Sequence, residues 1–269
     1  MTIKDQRIII TGGSSGIGLA LAEHFVKHGA HVALMARNQQ RLDEAKATCL
    51  ALCCNAAQKV ATFSVDLSDH NALLSTTTRV LKEFGSPDIL ITSAGQVVSN
   101  RFLATEPSVF DQIIDINLKG TRDFIRALLP SMINRKSGQV VLIASMAGLV
   151  PTYGYSAYNA SKFALVGFSG ALRQEMREHN IRVSTVCPPE VATPMVELEA
   201  ETILPQTRLL KDMCGTLSTE QVIKETIQGM QKNQRLIIPG FLARMTYRLY
   251  RWFPGIFTVV VDWILARRG

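Results

Sequence analysis

Tyr158 and Lys162, in the stretch YSAYNASK (155–162), have the side chains and the spacing to do proton chemistry. Four residues apart on a helix, they share one face, a single turn from each other. A phenol ordinarily titrates at about 10. An ammonium beside it favours the phenolate, and a value drawn down to about 7 would represent about 4 kcal/mol of differential stabilisation. Such a group can give and take a proton near neutral pH. Tyr155 is the competing phenol, but no lysine follows it four residues later. Ser145 stands thirteen residues before Tyr158, at the end of the apolar run QVVLIAS (139–145). Its hydroxyl suits the stabilisation of an oxygen that gains negative charge. Each residue alone also has a bland reading: Ser145 as a strand cap, Asn117 as the partner of a helix kink, Tyr158 as packing.

A second motif, TGGSSGIG (11–18), separates the first apolar run from the first helical stretch. Gly12, Gly16 and Gly18 allow a tight turn, and the backbone of Ser14, Ser15 and Ile17 then presents N–H groups at a helix N-terminus, where a pyrophosphate binds. The spacing is GxxxGxG rather than the commoner GxGxxG. A structural turn is the alternative, and the strand–loop–helix context favours nucleotide binding. The residue that meets the adenosine ribose usually follows about 20 residues later. An acid there suits a 2′-hydroxyl, whereas this chain has Ala36 and then Arg37, with no acid before Asp43. Arg37 is suited to a 2′-phosphate through charge-assisted hydrogen bonds, so NADP(H) is the expected cofactor. The competing reading leaves Arg37 as a solvated charge.

These motifs need a frame. RIIIT (7–11), HVALMA (31–36), KVATFSVD (59–66), DILITSAG (88–95), QVVLIAS (139–145) and IRVSTVCP (181–188) are strand-like. They alternate with helical stretches over 17–28, 38–57, 69–84, 107–134 and 155–179. Nearly continuous apolar strands imply a parallel sheet covered on both faces. The expected fold is α/β: one doubly wound Rossmann-type domain over 1–239, with an apolar, basic helical extension over 240–269. Every motif above falls at the carboxyl ends of strands, where such sheets bind ligands.

Bulk properties agree with one large domain, since 269 residues at 47% apolar content can bury a sizeable core. Five cysteines in irregular positions and five scattered histidines show no metal-ligand spacing, so free thiols and no metal are expected. The start of the chain has no apolar signal core, and a cytoplasmic setting is expected. Net charge is +7 and unevenly placed. Residues 235–269 hold six arginines and one acid, Asp262, and so carry +5, leaving +2 on the rest of the chain. No nucleic-acid partner is expected.

TGGSSGIG, SAG (93–95), Asn117, Ser145 and YNASK (158–162), in this order, resemble the short-chain dehydrogenase/reductase superfamily over roughly residues 5–195. The resemblance implies reduction of a ketone by hydride from a nicotinamide, with Ser145 binding the oxygen and Tyr158 as proton donor, tuned by Lys162 together with the positive nicotinamide ring of the oxidised complex. It also implies that Lys162 holds the nicotinamide ribose while Asn117 supports a proton relay to Lys162. Asp66 and Leu67 match the pair that meets adenine, and Ala94 and Gly95 the small residues against the cofactor. Thr92-Ser93 replaces the family's frequent Asn-Asn. In CPPEVATP (187–194), Pro188 and Thr193 match residues lining the nicotinamide, while Pro189 replaces a glycine and removes one N–H donor. Members usually form dimers or tetramers through the helix carrying the tyrosine.

Two segments bear on substrate. Residues 190–218 form a long connection, expected to cover the pocket as a mobile lid. Residues 235–269 interleave aromatic and arginine residues and end in GIFTVVVDWILA, too short to span a bilayer. An interfacial helix pair, at the cytoplasmic face of a membrane, is expected. Packing at an oligomer interface or against the core is the alternative. Together CPPEVATP, LPQTRLL and this tail resemble the 3-ketodihydrosphingosine reductases, which implies NADPH-dependent reduction of 3-ketosphinganine, a lipid-like ketone. Another apolar ketone (3-oxoacyl, steroid or retinoid), or a non-catalytic NADP-binding lipid-surface protein, are the alternatives.

Overall fold

The computed structural model describes residues 3–266. In chain order the elements are β1 (Arg7–Thr11), α1 (Gly16–Lys27), β2 (His31–Ala36), α2 (Gln39–Ala51), β3 (Val60–Ser64), α3 (His70–Glu83), β4 (Ile89–Thr92), α4 (Pro107–Ile114), α5 (Thr121–Arg135), β5 (Gly138–Ile143), α6 (Ser156–Glu175) and β6 (Ile181–Val186). There follow β7 (Glu190–Val191), α7 (Pro194–Ala200), α8 (Pro205–Asp212), β8 (Thr216–Leu217), α9 (Thr219–Gln231), β9 (Leu236–Ile237), α10 (Phe241–Trp252) and α11 (Pro254–Ala266).

Seven strands pair in parallel in the order β3-β2-β1-β4-β5-β6-β9, and β7 and β8 form a separate parallel pair. The fold is therefore the expected doubly wound α/β sheet. Alternation along β1 shows how its sequence builds two layers. Ile8 and Ile10 join a core with Leu21, Phe25 and Ile227 from α1 and α9, whereas Ile9 joins the opposite core with Phe124, Leu128 and Leu165 from α5 and α6. All three isoleucines are fully buried, which stabilises the strand by about 1.5–3 kcal/mol for each. The strand order reverses between β1 and β4, the crevice where such sheets take ligands.

Three elements differ from the sequence-based expectation. The helix expected over 38–57 stops at Ala51. There the buried Gln58 side chain accepts from the N–H groups of Cys54 and Asn55 (2.6 and 3.1 Å) and donates to the carbonyls of Val26 and Ala30 (2.8 and 2.9 Å). A turn closed by a distant buried amide has no local signature. The helix expected over 107–134 contains a π-turn at Asp115–Gly120 between α4 and α5, a local widening that often marks functional sites. Finally, α9 packs on α1 and supplies Val222, Ile223 and Met230 to the interior.

The last two helices contribute to the same interior: Ala243 and Phe257 are buried with the core of α5 and α6. The Tyr250 and Phe257 rings meet edge-on at 5.3 Å across the bend. Arg244 Nη1 donates to Glu225 Oε2 at 2.7 Å, tying α10 to α9.

Candidate active site

The glycine loop lies over the switch point. Gly12 has φ +69° and donates its N–H to the Met35 carbonyl at 2.8 Å. A β-carbon on Gly12 would fall 2.6 Å from Ala94 N, and one on Gly18 would fall 2.2 Å from the Gly12 carbonyl oxygen. Neither position has room for a side chain, so the loop and α1 close tightly on each other and on β4. The result is a backbone cradle at a helix N-terminus. Ser14, Ser15, Gly16 and Ile17 line it, and Thr193 stands across from Gly16. This cradle fits the pyrophosphate of a nicotinamide dinucleotide. Gly18 itself does not reach the cavity and serves through packing.

One continuous cavity of about 590 Å³ runs from this cradle in two directions. Towards the end of β2 it is lined by Arg37, Asp66 and Leu67, and towards β5 and α6 by Ala94, Gly95, Ser145, Tyr158, Lys162, Pro188 and Thr193. Arg37 is half-exposed, with Nη1 3.9 Å from Asp66 Oδ2. With the Gln96 amide oxygen turned towards it, Arg37 also donates to that oxygen at 2.9 and 3.2 Å. Asn38, Arg41 and Gln96 line this end too. None of the three was singled out from sequence, although an arginine four residues after Arg37 is a legible signal.

At the other end, Tyr158 and Lys162 rise from the first turns of α6, and Ser145, two residues past β5, caps the short turn Met146–Gly148 by accepting from the Ala147 N–H at 3.1 Å. Ser145 and Tyr158 line the same part of the cavity. Burial pushes the Tyr158 phenol up to about 12, the Ser145 hydroxyl opposes this by favouring the ionised form, and the charge of Glu199 adds to the rise. Burial likewise lowers Lys162 to about 8. In the protein alone burial therefore prevails over any pull of Lys162 on the phenol, whereas the expectation joins Lys162 with the positive nicotinamide ring of the oxidised complex. Lys162 Nζ stands over the face of the ring, 5.6 Å from its centroid, and donates to the Ile143 carbonyl at 3.2 Å. Desolvation outweighs an ammonium in that position.

Asn117 lies one layer behind the cavity, fully buried in the π-turn. It accepts from the Gln96 N–H at 2.8 Å and donates to the Gln96 carbonyl at 2.9 Å and to Ser161 Oγ at 3.0 Å. A β-carbon on Gly95 would lie 3.2 Å from Asn117 Oδ1 and 3.5 Å from Lys162 Nζ. Both side chains thus crowd the same glycine.

Residues 190–218 fold over the cavity as β7, α7, α8 and β8. An ion network crosses them. Arg208 meets Glu190 through two hydrogen bonds of 3.0 Å, Lys211 Nζ lies 2.6 Å from Glu190 Oε2, and Thr216 Oγ1 donates to Glu190 Oε1 at 2.8 Å. Burial would raise Glu190, but these partners prevail and hold it at about 2. Lys211 also donates to Glu199 Oε2 at 2.7 Å, and the Tyr155 hydroxyl donates to Glu199 Oε1. Burial first, then the Glu199 charge, pushes the Tyr155 phenol upwards. The Tyr155 and Tyr158 rings meet edge-on at 5.3 Å. Sequence reasoning identified neither Glu190 nor Glu199, because their partners lie 12 to 44 residues away with no periodic relationship.

Residues 6–203 match the short chain dehydrogenase family model. The chain belongs to that family and is an oxidoreductase enzyme of the kind that works with NAD(P). Among its relatives, the 3-dehydrosphinganine reductase of Danio rerio is 33% identical over 234 residues, which is 85% of this chain and 70% of the relative. A 3-dehydrosphinganine reductase of Arabidopsis thaliana is 37% identical over 249 residues, 90% of this chain and 74% of the relative. A short-chain dehydrogenase/reductase from Burkholderia phymatum, solved with NAD, superposes with a TM-score of 0.82 at 22% identity, covering 93% of this chain and 94% of that one.

Proposed function

We propose that this enzyme reduces the ketone of a long-chain sphingoid base, 3-ketosphinganine, to the alcohol, with NADPH as reductant. The observation that carries the reading is the Ser145–Tyr158 hydroxyl pair, placed in one cavity with a dinucleotide cradle and a lid bearing apolar side chains. The sphingoid assignment draws on the likeness to 3-dehydrosphinganine reductases in an animal and a plant.

The dinucleotide, when bound, supplies the hydride that reaches the carbonyl carbon. Tyr158 gives its proton to the carbonyl oxygen, and Ser145 hydrogen-bonds that oxygen as charge builds on it. A phenol at about 12 is protonated at neutral pH, which is the form a reductase needs. Lys162 is the residue for the nicotinamide ribose, and Asn117 holds Gln96 and the loop after β4 in place. At the other end of the cavity, Arg37 with Arg41 suits a 2′-phosphate, the basis for assigning NADPH.

Purified protein given NADPH and a ketone panel tests the reading. Turnover of 3-ketosphinganine well above that of short 3-oxoacyl esters or steroid ketones is expected; equal or slower turnover removes the sphingoid assignment.

A lipid substrate also gives the tail a reason. Phe241, Leu242 and Trp252 on α10, Phe253 at the break, and Val259 and Trp263 on α11 are exposed, beside Arg248 and Arg251. The two helices meet at 115°, and no single helix among the described residues is long and apolar enough to cross a membrane. We propose that this surface lies in the interface of an acidic membrane on the cytoplasmic side. Arg267 and Arg268, also expected to face head groups, lie outside the described residues. Because Ala243 and Phe257 belong to the core, truncation would uncover it. Flotation of a Trp252→Ser/Phe253→Ser variant with phosphatidylserine vesicles is the cleaner test. Partitioning equal to the parent protein would favour self-association through this face. Dimer or tetramer formation is proposed for α6, where Phe163 is exposed and open space lies over Gly167 and Gly170.

A further inference from the structure

Glu199 is buried on the lid, yet it lines the same cavity as Ser145 and Tyr158. It is held by Tyr155, whose ring packs edge-on against that of Tyr158. A carboxylate has about four acceptor sites. Glu190 uses all of them, with two donors from Arg208, one from Lys211 and one from Thr216. Glu199 receives two, from Tyr155 and Lys211, so half of its capacity is open.

Charge is also short here. The exposed Asp212 takes two contacts from Arg208, at 2.9 and 2.6 Å, so that guanidinium is divided between Asp212 and Glu190. Lys211 is then the one cation shared by both buried carboxylates. A buried carboxylate with open acceptor sites and a shared counter-ion is a site for a further cation.

The catalytic hydroxyls restrict where that cation sits. Tyr155, which holds Glu199, packs against Tyr158, and the Glu199 charge acts on the Tyr158 phenol. A carbonyl oxygen bound at Ser145 and Tyr158 would therefore lie on the Glu199 side of the cavity. We propose that Glu199 determines specificity by binding an ammonium group on the carbon next to the reacting carbonyl, so that the enzyme selects α-amino ketones over plain ketones. This rests on the long-chain ketone reading above and deepens it by naming the residue that recognises the amine.

The test compares kcat/KM for 3-ketosphinganine with that for its deaminated counterpart, in the parent enzyme and in Glu199→Gln, which keeps the shape and an acceptor for Tyr155. The parent is expected to favour the amine by about 10- to 100-fold, the range of one charged hydrogen bond. Glu199→Gln is expected to lose most of that ratio. An unchanged ratio in the variant, or a parent enzyme without preference for the amine, overturns the proposal; the second result stands even if the variant does not fold. A parent enzyme inactive on both ketones would refute the long-chain reading instead. Glu199 is then judged by thermal shift in the presence of NADPH. Octadecylamine should stabilise the parent more than Glu199→Gln, while octadecanol should not discriminate between them. Equal amine shifts overturn the proposal.

Discussion

Lys162 Nζ lies over the face of the Tyr158 ring and gives its hydrogen bond to the Ile143 carbonyl, so the two residues are stacked rather than joined head to head. The ammonium is buried, and its ordinary pKa of 10.5 falls to about 8. Retaining a cation there opposes folding, and its value must come from ligand binding and chemistry.

Replacing Lys162 with Met should therefore raise stability while removing activity. A lysine whose native pKa lies below its unfolded value binds fewer protons when folded, so stability rises with pH between about 8 and 10.5. Below that window the cost is on the order of 3 kcal/mol. The melting temperature of Lys162→Met should exceed the parent's at pH 7, and the gap should close as pH climbs through the window. A variant no more stable at pH 7 would mean that the Ile143 hydrogen bond offsets the desolvation.

Tyr158→Phe keeps the ring and its contact with Tyr155 but removes the proton. Turnover should fall by about 10²- to 10⁴-fold, with NADPH affinity changed only a few-fold in a fluorescence titration. Retained turnover would exclude Tyr158 as the donor.

Arg37 is half-exposed, reaches Asp66 at only 3.9 Å and otherwise meets the neutral Gln96 amide, so its charge is open to an anionic ligand. Arg37→Ala should raise KM for NADPH by about 10- to 100-fold, as loss of a charged hydrogen bond implies, and alter KM for NADH far less. Equal effects on both cofactors would place Arg37 outside phosphate recognition.

Glu190 anchors the lid, and its acidity has a definite sign. Held at about 2 against an ordinary 4.5, it contributes stability that is complete above 4.5 and is lost as pH falls towards 2. Glu190→Gln should cost about 1–3 kcal/mol at pH 7, less than a wholly buried pair would because Arg208 is partly exposed. Melting temperatures of the two proteins should converge as the solution is acidified towards pH 2. A gap independent of pH would point to packing rather than charge.

The frame and the order of the motifs were legible in the sequence because their signals are local. Continuous apolar runs define strands buried on both faces, a glycine loop between strand and helix defines a phosphate cradle, and a four-residue step puts Tyr158 and Lys162 on one face of α6. Spacing could not say how acidic the phenol is, since desolvation depends on everything packed around it. Nor could it show that Gly18 acts by packing under Gly12, or that Gln58 ends α2 from the far side of a turn. The lid carboxylates are the clearest case. Glu190 is saturated and Glu199 is not, a difference made entirely by which distant side chains the fold brings within hydrogen-bond reach.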